Sequence, residues 1–225
     1  MAVIEGGSSA VLAGVGAEAA KGVHVIGKPQ DYGSLGHYRF AGVTGAIAAG
    51  MAANGELLQF RWTDTTRFAL IQRIYAVGMR ATTAFAAGTI DIKATIARSW
   101  TASGSGGTAL TLTGDNNQLR TSMGASLVGD MRISTTAALG AGTKTLDTQD
   151  IGMITTHSSG GVGSATPIIG SIYLPTTTLF ECDVSSGEHP VVLAQNEGVV
   201  VRATVPGTGV WNLGIGIAWA EVASF

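Results

Sequence analysis

The densest group of chemically capable side chains in this 225-residue chain is ECDVSSGEHP, which sets Glu181, Cys182, Asp183, Glu188 and His189 within nine residues. Carboxylates, a thiol and an imidazole are metal-ligand types, and Cys182 with His189 is the one close pairing that could serve as nucleophile and base. The spacing suits neither use. A zinc site needs a second Cys or His pair at fixed offsets, and a catalytic thiol needs a base that is itself oriented by a third group. A hard cation held by the carboxylates is the remaining metal reading, beside the simpler one of a polar turn leading into HPVVLAQ.

Glycine-rich stretches raise the question of phosphate binding. LGAGTKT lacks the adjacent Gly-Lys pair of a phosphate loop, and neither GSGGT nor GGVGSAT opens a helix whose N-terminus could hold an anion. Turns between strands account for them, since glycine adopts positive φ without steric cost. GxSxG is missing, and His24, His37 and His157 sit in Gly- or Ser-rich company as surface histidines do. No pair among the 15 acidic residues has a pattern that points to glycoside hydrolysis. The sequence therefore assigns no catalytic residue, no cofactor and no metal site. Trp62 and Trp100 fall at the ends of expected strands, where an indole can cap a core or stack on a sugar; the core cap is the favoured reading.

Composition narrows the classes further. Charged residues are 12% of the chain against about 25% in a typical domain, and there are 33 glycines. A net charge of −2 and a pI near 6.0 give no basic stripe for nucleic acid. The mean hydropathy of +0.32 is high, yet no run approaches the roughly 18 to 20 apolar residues of a spanning helix. AVLAGVGAEAAKGVHVIG comes nearest and is interrupted by Glu18 and Lys21. MAVIEGGSSA has Glu5 where a secretory signal would be positive, so no export is expected. Cys182 is the single cysteine, which excludes an internal disulfide and fits assembly in a reducing cytoplasm.

The elements that must position these residues read as strands. Residues 1–36 are Gly-, Ala- and Ser-rich and are expected to form an extended arm; residues 37–225 carry the β pattern. ELLQFRW, FALIQRIYAVGMR and TIDIKATIARSW are the first strong strands, and TASGSGGTALTLTGDNNQLRTSMG reads as a long exposed loop, with NNQLRTSM able to close one helical turn. SLVGDMRIST, DIGMITT and PIIGSIYLP follow, separated by TTAALGAGTKTLD and HSSGGVGSAT. The last three strands, in HPVVLAQNEGVVVRATVPGTGVWNLGIGIAWAEV, are expected to form a meander. Turn signals at sandwich-like spacing and the lack of a capped 3.6-residue period predict an all-β fold, a two-sheet antiparallel β-sandwich of jelly-roll type. A barrel fits the same strands.

WNLGIGIAWAEV is the most regular of them. Trp211, Leu213, Ile215, Ile217 and Trp219 alternate with Gly214, Gly216, Ala218 and Ala220. Period two assigns the large residues to the core and the small ones to the opposite face, where a wet sheet would carry Thr, Lys or Glu. The four small residues are accordingly expected to form an interface with a neighbouring layer, with packing under this chain's own arm or a loop as the alternative.

GEHPVVLAQNEGVVVRATVPGTGVWNLGIGIAWAEV resembles the C-terminal signature of a family of structural proteins from tailed bacteriophages, and LLQFRWTDTTRFALIQRIYAVG and IARSWTASGSGGTALTLTGDNNQLRTSMG resemble its middle segments. The resemblance covers roughly residues 38–225. It implies a virion component with no enzymatic activity: a capsid decoration or cement protein, assembled in the host cytoplasm and placed on the capsid surface. Its expected partners are other copies of itself, as a homo-oligomer with a trimer first, and the major capsid protein or neighbouring virion proteins. Neither nucleic acid nor a membrane is expected as a direct partner. The alternative is a tail or baseplate module binding host surface glycan through Trp62, Trp100 and the Gly104–Gln118 loop.

Overall fold

The computed structural model describes residues 5–6, 11–12, 35–48, 50–112, 117–119, 123–159, 177–183 and 188–225. The chain divides into two compact units, Met1–Asp31 and Tyr32–Phe225. In the first, β1 (Glu5–Gly6) pairs antiparallel with β2 (Val11–Leu12). The rest of the expected arm lies outside the described residues up to Leu35, and Gly36 already belongs to the first strand of the second unit.

The second unit is all-β, two antiparallel sheets packed as a sandwich. Its strands are β3 (Gly36–Val43), β4 (Gly55–Trp62), β5 (Phe68–Thr83), β6 (Ala87–Ala102), β7 (Thr108–Ala109), β8 (Val128–Ile133), β9 (Thr143–Ser159), β10 (Thr177–Glu181), β11 (Val191–Leu193), β12 (Glu197–Thr204) and β13 (Val210–Val222). One sheet runs β10-β5-β13-β3, with β11 also pairing to β5; the other runs β7-β8-β4-β12-β6-β9. From β3 to β6 each strand lies in the opposite sheet from its predecessor, and so do β12 and β13.

This alternation corrects the expected meander. The turns after Leu193 and Thr204 do not fold β11, β12 and β13 back on one another: β11 pairs with β5, β12 with β4 and β6, and β13 with β5 and β3. Turn chemistry marks a reversal in either case, and only the register shows that the chain arches across the sandwich. Two other segments also differ from expectation. Thr143–Asp147, read as part of a loop, begins β9, and within the expected long loop Thr108–Ala109 pairs with β8. The expected strand in PIIGSIYLP lies outside the described residues, as do half of NNQLRTSM and all of GGVGSAT.

The core between the sheets is aromatic and aliphatic. Trp219 stacks on Tyr38 at 5.6 Å between ring centroids and meets Phe60 edge-on at 5.2 Å, while Trp211 lies beside Phe85. Trp211, Leu213, Ile215, Ile217 and Trp219 are all buried in it. Their partners across the interior include Leu58, Phe60, Val199 and Val201 on β4 and β12. Burying these large side chains at roughly 25 cal/mol per Å² is the main term holding the two layers together.

Candidate interaction surface

β13 lies in the middle of its sheet, hydrogen-bonded to β3 on one side and β5 on the other. The register therefore fixes what surrounds each small residue on its outer face. Gly214 lies between Val43 and Val77, Gly216 between Ala41 and Tyr75, Ala218 between Arg39 and Arg73, and Ala220 between His37 and Leu70.

These flanking side chains, more than a neighbouring layer, explain why the lane is small. A Cβ on Gly216 would lie 2.0 Å from Cζ of Tyr75, and one on Gly214 would lie 2.8 Å from both Cγ1 and the carbonyl oxygen of Val77. Tyr75 is laid across the central strand, where its ring receives the guanidinium of Arg39 at 5.4 Å and that of Arg73 at 5.5 Å. Arg39 Nη2 also donates to Tyr75 Oη at 3.0 Å. Ala220 is fully buried in a small outer cluster with Leu70 and Val222, packed by Phe68 and Val192. The expectation that Gly214, Gly216, Ala218 and Ala220 meet another molecule is thus corrected at three of the four: the chain covers Gly214, Gly216 and Ala220 itself, leaving Ala218 half-buried.

What this face offers to a partner is the fringe. Val43 is 67% exposed, Arg39, Ala41 and Arg80 are exposed, and His37 is half-buried. Arg73 reaches Glu181 at 3.6 Å, whereas Arg39 and Arg80 have no carboxylate partner among the described residues. The opposite outer face, on the six-stranded sheet, contrasts with it. There Arg202 and Lys93 share Asp150, Arg98 bridges Asp147 and Glu197, and Arg132 pairs with Asp130. Burial pushes the Asp150 carboxyl up, but hydrogen bonds from Thr95 and Arg202 and the charges of Arg202 and Lys93 outweigh it and hold it below the usual range. The arginines of the five-stranded face were not legible as a group in the sequence; HYRFAGV and LIQRIYAVGMR show them singly, and only cross-strand register joins them.

The other side chains singled out in the sequence fall into structural places. Trp62 and Trp100 are both fully buried, so neither can stack on a sugar. Trp62 joins the core and donates its indole N–H to the Arg67 carbonyl at 2.8 Å. Trp100 lies instead over the outer face of the six-stranded sheet with Ala97, Val200 and Leu146, under the ammonium of Lys144, 4.4 Å from its ring. Lys144, the lysine of LGAGTKT, is buried against Glu56 at 2.9 Å, and Gln59 donates to the same Glu56 oxygen. It holds a carboxylate, not a phosphate.

In ECDVSSGEHP, Cys182 donates its S–H to the Glu188 carbonyl, and Glu188 accepts the Asp183 backbone N–H. Burial and the carboxylates of Glu188 and Asp183 push the Cys182 thiol up, which opposes the thiolate a nucleophile needs. His189 packs edge-on against Phe225. Among the described residues no group of three or more His, Cys, Asp or Glu is placed to hold a metal ion, and no helix is long and apolar enough to cross a membrane.

One buried carboxylate escaped the sequence reading. Glu221, on the same face of β13 as the tryptophans, is fully buried and accepts hydrogen bonds from the Ser126 hydroxyl, the Leu127 N–H and the Trp219 indole. Burial pushes its carboxyl up, and those three donors offset the shift only in part. The Tyr38 hydroxyl is pushed up to about 12 by burial and by the Glu221 charge, and donates to the Gly124 carbonyl. Together these groups tie the 123–128 segment to the end of the sandwich.

Comparison with protein-family models, with curated proteins and with solved structures finds no match for this chain.

Proposed function

We propose that this chain is a non-enzymatic structural protein of a tailed-bacteriophage particle, a decoration or cement subunit that binds the assembled shell through the outer face of its five-stranded sheet. The observation that carries the reading is the contrast between the two outer faces. On one, Lys93, Arg98, Arg132 and Arg202 are closed into ion pairs and Arg61 donates to the Trp100 and Thr101 carbonyls and the Ser103 hydroxyl; the other presents a low surface of Ala41, Val43 and Ala218, with Arg39 and Arg80 lacking carboxylate partners among the described residues. An uncompensated cation beside apolar surface fits the rim of a protein contact, where complementary charge orients the partner and apolar burial holds it.

Two further features support it. The orders β3-β13-β5-β10 and β4-β12-β6-β9 fit a jelly roll when the strands are taken in chain order, and that architecture recurs in viral capsid domains. Fold alone does not carry function, so this counts as analogy beside the sequence resemblance. A subunit that binds only the assembled lattice stabilises it by mass action. The deciding experiment is the copy number of this chain in purified particles by quantitative mass spectrometry. Tens to hundreds of copies are expected; a handful refutes the cement role in favour of a tail or baseplate part, and its absence from particles refutes the virion role.

A further inference from the structure

We infer that Lys144, Glu56 and Gln59 form a self-modification site, at which the Lys144 amine displaces ammonia from the Gln59 carboxamide and joins the two side chains by an isopeptide bond. The inference goes beyond the reading above and does not depend on where the chain acts.

Glu56 and Gln59 lie three residues apart on β4, and Lys144 stands at the start of β9. β12 and β6 separate those strands in the sheet, so the turn before β9 must bring the lysine across. It does so by folding over β4: the Leu139 N–H donates to the Glu56 carbonyl, and Gln59 Nε2 donates to the Gly140 carbonyl at 2.9 Å. The three side chains are out of water. Gln59 is 1% and Glu56 6% exposed, and the Lys144 side chain is 2% exposed. The Trp100 ring lies 4.4 Å from Lys144 Nζ, and Gly104 packs so closely on the Gln59 amide that a Cβ has no room there.

One carboxylate oxygen connects the groups that would react. Glu56 Oε2 accepts from Lys144 Nζ at 2.9 Å and from Gln59 Nε2 at 2.6 Å. An amine nucleophile and the nitrogen of an amide leaving group thus meet at the same proton acceptor, as a base that next acts as an acid requires. A second observation points the same way. Gln59 Oε1 is buried and has no hydrogen-bond partner among the described residues, although its Nε2 has two. A purely structural ion pair gives no reason to keep an amide oxygen unsatisfied beside it.

The step balances without a co-reactant. Glu56 takes a proton from the Lys144 ammonium, and the neutral amine attacks Gln59 Cδ. The Nζ–Cδ bond forms and the Cδ–Nε2 bond breaks. Glu56 hands its proton to Nε2, which leaves as ammonia, and takes a second proton from Nζ. The third proton of Nζ stays on the new amide. A buried ion pair is thereby replaced by an amide and a neutral carboxylic acid, which removes the cost of keeping two charges from water. The acid O–H is also a donor in a site where Gln59 Oε1 has none. Fixed contact supplies the effective concentration that an amine and an amide lack in water. The ion pair described above is the starting state, and the bond accumulates after folding.

The test holds the full purified chain for several days at physiological temperature and follows it by intact mass spectrometry and by sequencing of a protease digest. The expected result is a growing fraction lighter by one ammonia, with a branched peptide that joins Gln59 to Lys144. The same chain kept unfolded in urea should form none, and neither should Lys144→Arg, which keeps the cation without the nucleophile. Glu56→Gln should form the branched peptide at least tenfold more slowly. A folded wild-type chain without the branched peptide overturns the inference, whether or not ammonia is lost elsewhere. A Glu56→Gln chain that links as fast as wild type, or an unfolded chain that links as fast as the folded one, overturns it too. The wild-type result decides the matter even where a variant does not fold, and particle copy number is measured separately.

Discussion

Replacing Gly216 by alanine tests whether the small lane of β13 is shaped from within the chain. The new Cβ would lie 2.0 Å from Cζ and 2.3 Å from Cε1 and Oη of Tyr75, so the ring must leave its place over the central strand. Tyr75 is 7% exposed where it lies. If its displacement uncovers about 100 Å² of mostly apolar surface, the loss is about 2.5 kcal/mol at ~25 cal/mol per Å². Alanine returns about 0.5–1 kcal/mol through the lower chain entropy it loses on folding compared with glycine. The expected net cost is about 1.5–2 kcal/mol, read as a lower urea midpoint with an unchanged slope. The decisive control is a double-mutant cycle with Tyr75→Ala. Once the ring is gone, Gly216→Ala should be neutral or stabilising. If the alanine costs the same in both backgrounds, or costs nothing in the wild type, Tyr75 is not what requires the glycine, and a neighbouring molecule regains its place in the explanation.

Two further outcomes follow from buried charge. Lys144→Ala leaves Glu56 without its cation in a site where both side chains are almost wholly buried, and should destabilise by about 3 kcal/mol or more in urea unfolding; Lys144→Met with Glu56→Leu should recover at least half of that. Glu221→Gln bears on pH: because the folded-state carboxyl is pushed above its unfolded value, ionisation there opposes folding, so the stability of wild type relative to the glutamine variant should rise as pH falls from 7 towards 5. Urea titrations of the two proteins at matched pH check the sign, and a relative stability that falls on acidification would show the carboxylate to be net stabilised by Ser126, Leu127 and Trp219.

The sequence was most informative where a strand alternates without interruption. In β13 the period-two pattern identified the five buried large residues correctly, because each contributes to one face whatever the neighbouring strands are. It did not reveal what lies on the other face, since Tyr75 is remote from Gly216 along the chain and meets it only through the register of β5 with β13. Bulges defeated the reading elsewhere. Ser99 adopts a φ of 50° near the end of β6, and Trp100 beyond it packs on the outer face instead of in the core with Ile90 and Ile92. Leu57 and Leu58 are both buried in the core because β4 shifts register there against β12. Glu221 shows the opposite limit. It continues the core-side run of Ile215, Ile217 and Trp219, and a carboxylate was not expected there because two of the donors that satisfy it come from Ser126 and Leu127.

The two outer faces also constrain how such a subunit could behave in salt. On the six-stranded face Lys93, Arg98, Arg132 and Arg202 are paired with carboxylates within the chain, so added salt changes little for them beyond exposed pairs that are each worth little. Arg39 and Arg80 have no such partner among the described residues, and their field extends to about 8–10 Å at physiological ionic strength. Attachment through the five-stranded face should therefore slow as salt rises, because steering acts on the rate of encounter. A subunit built this way would attach fastest at low ionic strength.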